Sequence, residues 1–235
     1  MPESTEISDN LKYNCKGKTM DIVMLAAGTS SRMGETNKML LPYRGVPIVA
    51  YSCMQALIFL QTLSIKTDTV CRLTVVTGYR RKSVEKALKG CKLFVEKTGA
   101  KLEMLIVGNP NYTNGQFSSA KTGVSQVTEN SAFFISLADM PLITAAHYEK
   151  LVPMLGKHDA VRPFYEDINK KDRVPGHPVL HAYRLKEKIL QCPDTYTVNK
   201  ILRDCEVFEP SFNEPSWILD IDTPENYRSL IGKLR

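Results

Sequence analysis

The chain has 235 residues, enough for one α/β domain around a single sheet and too few for two such domains. Its 31 basic and 25 acidic side chains leave a formal charge of +6, which suits anionic ligands, but the basic residues are dispersed and form no stripe with interleaved aromatics, so nucleic-acid binding is not expected. Six widely spaced cysteines without a C-x-x-C pair argue for reduced, mostly buried thiols over a zinc site or disulfide framework, and the absence of a leader pattern or of about 18 consecutive apolar residues points to the cytoplasm, with no membrane partner.

Residues 1–19 are polar and are expected to form a partly ordered tail ahead of one domain over residues 20–235. The apolar run over residues 22–27 reads as a fully buried strand that ends at Gly28. Residues 47–60 carry apolar side chains at helical spacing, with Pro47 near a first-turn position. Strands are expected at residues 73–77, 102–107 and 132–137, alternating with helices at 81–89, 117–127 and 145–155. Such alternation predicts a largely parallel sheet covered by helices on both faces. Further on, strands are expected at 160–164 and 179–183, and the charged, turn-rich residues 165–177 between them read as a mobile loop. Helices at 185–190 and 198–203, a strand at 217–221 and a last helix opened by Asp222, Thr223 and Pro224 complete the order.

In such sheets ligands bind beyond the carboxyl ends of the strands, and the unusual residues fall there: Gly28, Gly78, Asn109 and Asp139 each follow a strand. The segment after the first strand combines Gly28, Thr29, Ser30 and Ser31, whose backbone amides can close on an anion, with the cations Arg32 and Lys38. The guanidinium of Arg32 matches a pair of phosphate oxygens, whereas Lys38 is a compact charge that can follow a moving phosphoryl group. Neither the ATPase P-loop pattern nor the dinucleotide fingerprint is present. Asp139 leaves an apolar strand ahead of Pro141 and, with Asp222, offers hard oxygen donors for Mg²⁺. Asp220 is assigned to the opposite face of its strand and left out of that pair. The competing structural roles are a helix N-cap for Asp222 and, less strongly, a turn former for Asp139.

The segment LAAGTSSRMGETNK resembles the signature of nucleotidyltransferases with a Rossmann-like domain, in particular the molybdenum cofactor cytidylyltransferases and their guanylyltransferase relatives. VVTGY, NGQFSSAKTG, LADMPLI, GHPVL and DIDTPENY follow in the family's order, from about residue 20 to the C-terminus. The resemblance implies a three-layer nucleotidyltransferase fold and nucleotide contacts from Leu25, Ala26, Ala27, Gly28, Thr29, Ser30, Arg32, Lys38, Thr77, Gly78, Gly115, Ser118 and Ser119. It implies catalytic roles for Lys38, Arg32 and Asp139, Mg²⁺ at Asp139 and Asp222, and an acceptor-side place for His177, which could instead cap a strand. His147, His158 and His181 have no partner at catalytic spacing and are expected to be structural.

The reaction implied is transfer of CMP from CTP to the phosphate of molybdopterin, with release of pyrophosphate and with a molybdoenzyme as recipient. LAAG, where the guanylyltransferase branch commonly has LAGG, favours a pyrimidine nucleotide. The three residues Glu35, Thr36 and Asn37 between Gly34 and Lys38, against two in many cytidylyltransferases, leave base choice open. A guanylyltransferase, a sugar-phosphate nucleotidyltransferase and a non-catalytic cofactor carrier are the alternatives. Paired carboxylates beside a polyphosphate would repel it without a metal, which argues against the carrier.

Overall fold

The structure is a computed structural model that describes residues 19–33, 36–167 and 172–232. All of the expected tail except Thr19 lies outside the described residues, as do Gly34 and Glu35 of the glycine-rich segment. The centre is β1 (Met20–Ala26), every residue of which is buried. It pairs in parallel with β4 (Cys71–Thr77) on one side and β6 (Ala132–Leu137) on the other, and β5 (Leu102–Gly108) extends the sheet beyond β4. Beyond β6 run the antiparallel β10 (Val179–His181), then β7 (Ala160–Val161) and β11 (Val207–Phe208), giving a seven-stranded sheet in the order β11-β7-β10-β6-β1-β4-β5. The chain moves outward in opposite directions from β1, so the loops after β1 and β6 part and leave a crevice between them.

Side-chain alternation along β1 explains why both sheet faces are covered. Ile22, Met24 and Ala26 pack into one cluster with α1 (Ile48–Thr67), α2 (Arg81–Ala87), α3 (Lys89–Lys97) and α5 (Ala145–Leu151). Val23, Leu25 and Ala27 pack into the other with α4 (Gln116–Val124), α6 (Leu185–Gln191) and α7 (Val198–Leu202). Each fully buried Val, Ile or Leu contributes about 1.5–3 kcal/mol, so this strand and its covering helices carry much of the stability. Helix α1 is long and apolar enough to cross a membrane by length and composition alone, but Val49, Cys53, Ala56, Leu57 and Leu60 are buried in the first cluster. Its start follows Pro47, which precedes the helix rather than lying in its first turn.

The last third departs from the expected elements in ways that proline and pairing explain. Pro163 has no N–H and separates β7 from β8 (Phe164–Asp167), so the expected strand at 160–164 is two short ones in different sheets. The segment expected to be a mobile loop forms an antiparallel hairpin of β8 with β9 (Asp172–Pro175), in which Glu166 faces Arg173 and Tyr165 faces Val174. Residues 168–171 at its tip lie outside the described residues. A parallel bridge from β12 (Ser211–Phe212) to β8 completes that small sheet. The strand expected at 217–221 is absent: Pro215 starts a 3₁₀ turn over Pro215–Trp217, and the backbone then passes the main sheet with one bond, Ile221 N–H to the Asp139 carbonyl at 3.0 Å. The final helix, α8 (Pro224–Gly232), begins as expected with Pro in the first turn. A two-residue hairpin of β2 (Pro42–Tyr43) and β3 (Val46–Pro47) links the glycine-rich segment to α1.

Candidate active site

Beyond Ala26 the chain leaves the sheet through Ala27 and Gly28, and nothing lies within 4 Å of where a Cβ on Gly28 would stand. Ser30 adopts a left-handed φ of 57° and turns the chain into a 3₁₀ segment, Ser31–Met33. The loop then returns: Ser30 Oγ accepts from the Lys38 N–H at 3.2 Å, and Asn37 Oδ1 accepts from the Met39 N–H at 3.0 Å, capping a second turn over Lys38–Leu40. This closure delivers the Lys38 side chain to the carboxyl end of β6. There Lys38 Nζ lies 2.5 Å from Asp139 Oδ2 and 2.6 Å from Asp222 Oδ1, and Arg32 Nη1 donates to Asp222 Oδ2 at 2.7 Å.

Burial works against the Lys38 charge, but Asp139 and Asp222 outweigh it and hold its pKa above the usual lysine value. The hydrogen bond from Lys38 is the main reason the Asp222 carboxyl lies below the usual carboxylate range. Asp220 moves the other way, because burial and then its neighbours Asp222 and Asp139 disfavour its charge. Asp139, Asp220 and Asp222 can each offer an oxygen within 4.8 Å of the others. An all-oxygen set of this kind fits a hard cation such as Mg²⁺, and a cation would relieve the repulsion that Asp220 carries.

Asp220 corrects the sequence reading twice over. Its segment is not a strand, and residues two apart share a face of extended backbone in any case, so the D-x-D spacing was itself the signal for a third carboxylate.

Two cavities border this cluster and a third adjoins the larger of them. One of about 240 Å³ is lined by Gly28, Thr29, Ser30, Ser31, Arg32, Lys38 and Asp222. The central one, about 460 Å³, is bounded by Leu25, Ala27, Gly28, Thr29, Tyr112, Gly115, Gln116 and Ser119 together with Lys38 and the carboxylates. The third, about 390 Å³, shares Leu25, Gly115, Gln116 and Leu137 with the central one and reaches His177, Tyr196 and Asn199. Gly115, at φ 103°, opens α4 between the two larger cavities in a backbone state that favours glycine.

Other expected nucleotide contacts are placed elsewhere. Ala26 alternates to the opposite face and packs in the first core cluster. Thr77 is fully buried, with its hydroxyl on the Val107 carbonyl at 3.3 Å. Gly78 is packed by Tyr112, whose Cβ lies 2.7 Å from where a Gly78 Cβ would stand. Ser118 turns inward, its hydroxyl accepting from Asn109 Nδ2 at 2.9 Å and donating to the Gly115 carbonyl at 2.8 Å. These four support the walls, while Leu25, Ala27, Gly28, Thr29, Ser30, Arg32, Lys38, Gly115, Ser119, Asp139, Asp222 and His177 line the three cavities.

His177 is half-buried, its Nδ1 enclosed without a hydrogen-bond partner among the described residues. Burial holds its pKa below the usual histidine value despite the opposing pull of Asp139, so the ring is neutral near pH 7. Two of the other histidines make contacts that support the fold. His147 Nδ1 accepts from the Thr144 N–H at 3.1 Å in a capping box at the start of α5, and His181 is fully buried against Phe133 with ring centroids 5.0 Å apart.

A glycine loop whose two cations meet a cluster of hard oxygen donors, at the switch point of a doubly wound sheet, places the protein among the nucleotidyltransferases. A family model described as the MobA-like NTP transferase domain matches residues 22–209, and the chain belongs to that family. The chain is 28% identical over 208 residues to the molybdenum cofactor cytidylyltransferase of Escherichia coli (strain K12), covering 88% of this chain and 93% of the relative. Among solved structures it resembles a nucleotidyl transferase from Methanothermobacter thermautotroptrophicus, at a TM-score of 0.66 and 20% identity over 92% of this chain and 98% of the other. Rv0371c from Mycobacterium tuberculosis H37Rv matches at a TM-score of 0.63 and 21% identity, again over 92% and 98% of the two chains.

Proposed function

We propose that this nucleotidyltransferase is a Mg²⁺-dependent cytidylyltransferase that transfers CMP from CTP to the phosphate of molybdopterin. The observation that carries the reading is the position of Lys38 Nζ, between Asp139 and Asp222 where the glycine loop opens onto the central cavity. The named activity of the Escherichia coli relative and the LAAG sequence of the loop support CTP and this acceptor.

In this reading the loop amides and Arg32 hold the β- and γ-phosphates, and Lys38 contacts the α-phosphate, where charge is redistributed. Leu25, Ala27, Gly115 and Ser119 form the walls against base and ribose. Asp139, Asp220 and Asp222 would hold Mg²⁺. Bound there, it would supply Lewis-acid polarisation and a template for phosphate oxygens. The acceptor enters from the His177 side, and the neutral imidazole offers a hydrogen bond without adding charge. A phosphate oxygen of the acceptor forms the new bond to the α-phosphorus as the bond to the bridging oxygen breaks, and pyrophosphate leaves with that electron pair. The attacking phosphate is already ionised near pH 7, so no general base is required, and catalysis is positioning plus charge stabilisation.

Pyrophosphate release from CTP, GTP, ATP and UTP with Mg²⁺, using molybdopterin or a panel of sugar phosphates as acceptor, tests this. Release is expected with CTP and molybdopterin. Release only with a sugar phosphate would reassign the acceptor, and nucleotide binding without any release would make the protein a carrier.

A further inference from the structure

Both cations that the proposed reaction directs at the triphosphate rest on carboxylates in this structure. Lys38 bridges Asp139 and Asp222, and Arg32 takes the second oxygen of Asp222, so that Asp222 has both oxygens engaged. The Lys38 and Asp139 side chains are only 9% and 12% exposed, so no bulk water competes for this contact. An ammonium and a divalent cation cannot share the same carboxylate oxygens, since each repels the other at contact distance.

We propose that Lys38 is a placeholder for the metal: it keeps the cluster closed to divalent cations until a triphosphate draws Lys38 and Arg32 away. Resting on the nucleotidyltransferase reading of this site, the inference adds an order to it. A triphosphate offers the two cations new anionic partners and frees the carboxylates, so metal and nucleotide each raise the other's affinity, reciprocally as linkage demands. Asp220, to which neither cation is bound, remains as the entry ligand. Such an order keeps the empty site from holding a metal with nothing to activate and ties assembly of the centre to the arrival of the substrate.

Mn²⁺ binding followed by electron paramagnetic resonance on nucleotide-free protein tests the placeholder directly. Lys38→Met is expected to bind Mn²⁺ about tenfold or more tightly than the unaltered chain, within the usual range of coupling between sites. Arg32→Gln, a change at a side chain that is 72% exposed and therefore safe for folding, is expected to give a smaller gain. Adding Asp222→Asn to Lys38→Met is expected to abolish the gain. Labelled CTP is dialysed in parallel against the unaltered protein with Mn²⁺. Equal Mn²⁺ affinity with and without Lys38, in protein that retains CTP, would overturn the placeholder role and leave the nucleotidyltransferase reading standing. Failure to retain CTP would overturn the cytidylyltransferase reading alone, and the Mn²⁺ comparison, made without nucleotide, would still decide the placeholder role.

Discussion

Lys38 owes its position to two ordinary residues. Ser30 and Asn37 accept backbone N–H groups at 3.2 and 3.0 Å and fold the loop back so that the ammonium meets Asp139 and Asp222. The glycine, the two cations and the two carboxylates were legible in the sequence because each follows an apolar strand or a glycine turn. Asp220 was legible too, since residues two apart share a face of extended backbone, but it was assigned to the opposite face from Asp222. The charge network has a stated pH signature. Asp222 is depressed below 3.8, so its stabilising contribution is present above that value and is lost as pH falls through its folded pKa. Lys38 is raised above 10.5, so its contribution is present below that value and is lost as pH rises through its folded pKa. The difference in unfolding free energy between the unaltered chain and Lys38→Met is therefore expected to be largest at neutral pH and to shrink at both extremes. Urea titrations at about pH 3, 7 and 11 measure it, and a difference independent of pH would refute the network.

Elements carry the geometry of the crevice, and α4 is the telling case. A Cβ on Gly123 would stand 2.2 Å from Val23 Cγ1 and 2.9 Å from Val76 Cγ2, so only glycine lets this helix lie close enough for Gly115 and Ser119 to border the cavity. Gly123→Val is expected to cost about 1–3 kcal/mol through overpacking and to weaken nucleotide binding as α4 shifts outward. Calorimetry with dialysis of labelled CTP checks both, and an unchanged melting temperature would contradict the packing. The strands were readable as apolar runs and the helices as periodic ones, since burial imposes those patterns. The β8–β9 hairpin was hidden because its exposed face carries Glu166 and Arg173, whose charge resembles a loop until pairing sets them opposite each other. The expected strand at 217–221 failed for the converse reason: apolar content alone does not supply a neighbouring strand, and Pro215 begins a turn instead.

At the scale of the whole molecule, the sheet order puts the glycine loop after β1 and the Asp139 carboxylate after β6 at one crevice, with the third cavity bordered by Val179 of β10. No single element contains the site. Position in the fold rather than any one motif makes the central claim testable, because the claim requires loop, carboxylates and acceptor cavity to act on one phosphorus atom. The direct measurement is transfer of label from CTP carrying ³²P at the α-phosphate to molybdopterin, under single-turnover conditions, by the unaltered protein and by Asp139→Asn. Labelled cytosine dinucleotide is expected from the unaltered protein, at a rate about 10²-fold or more above that of the variant. Label transferred equally well by both proteins, or none transferred by protein that binds CTP, would contradict the account.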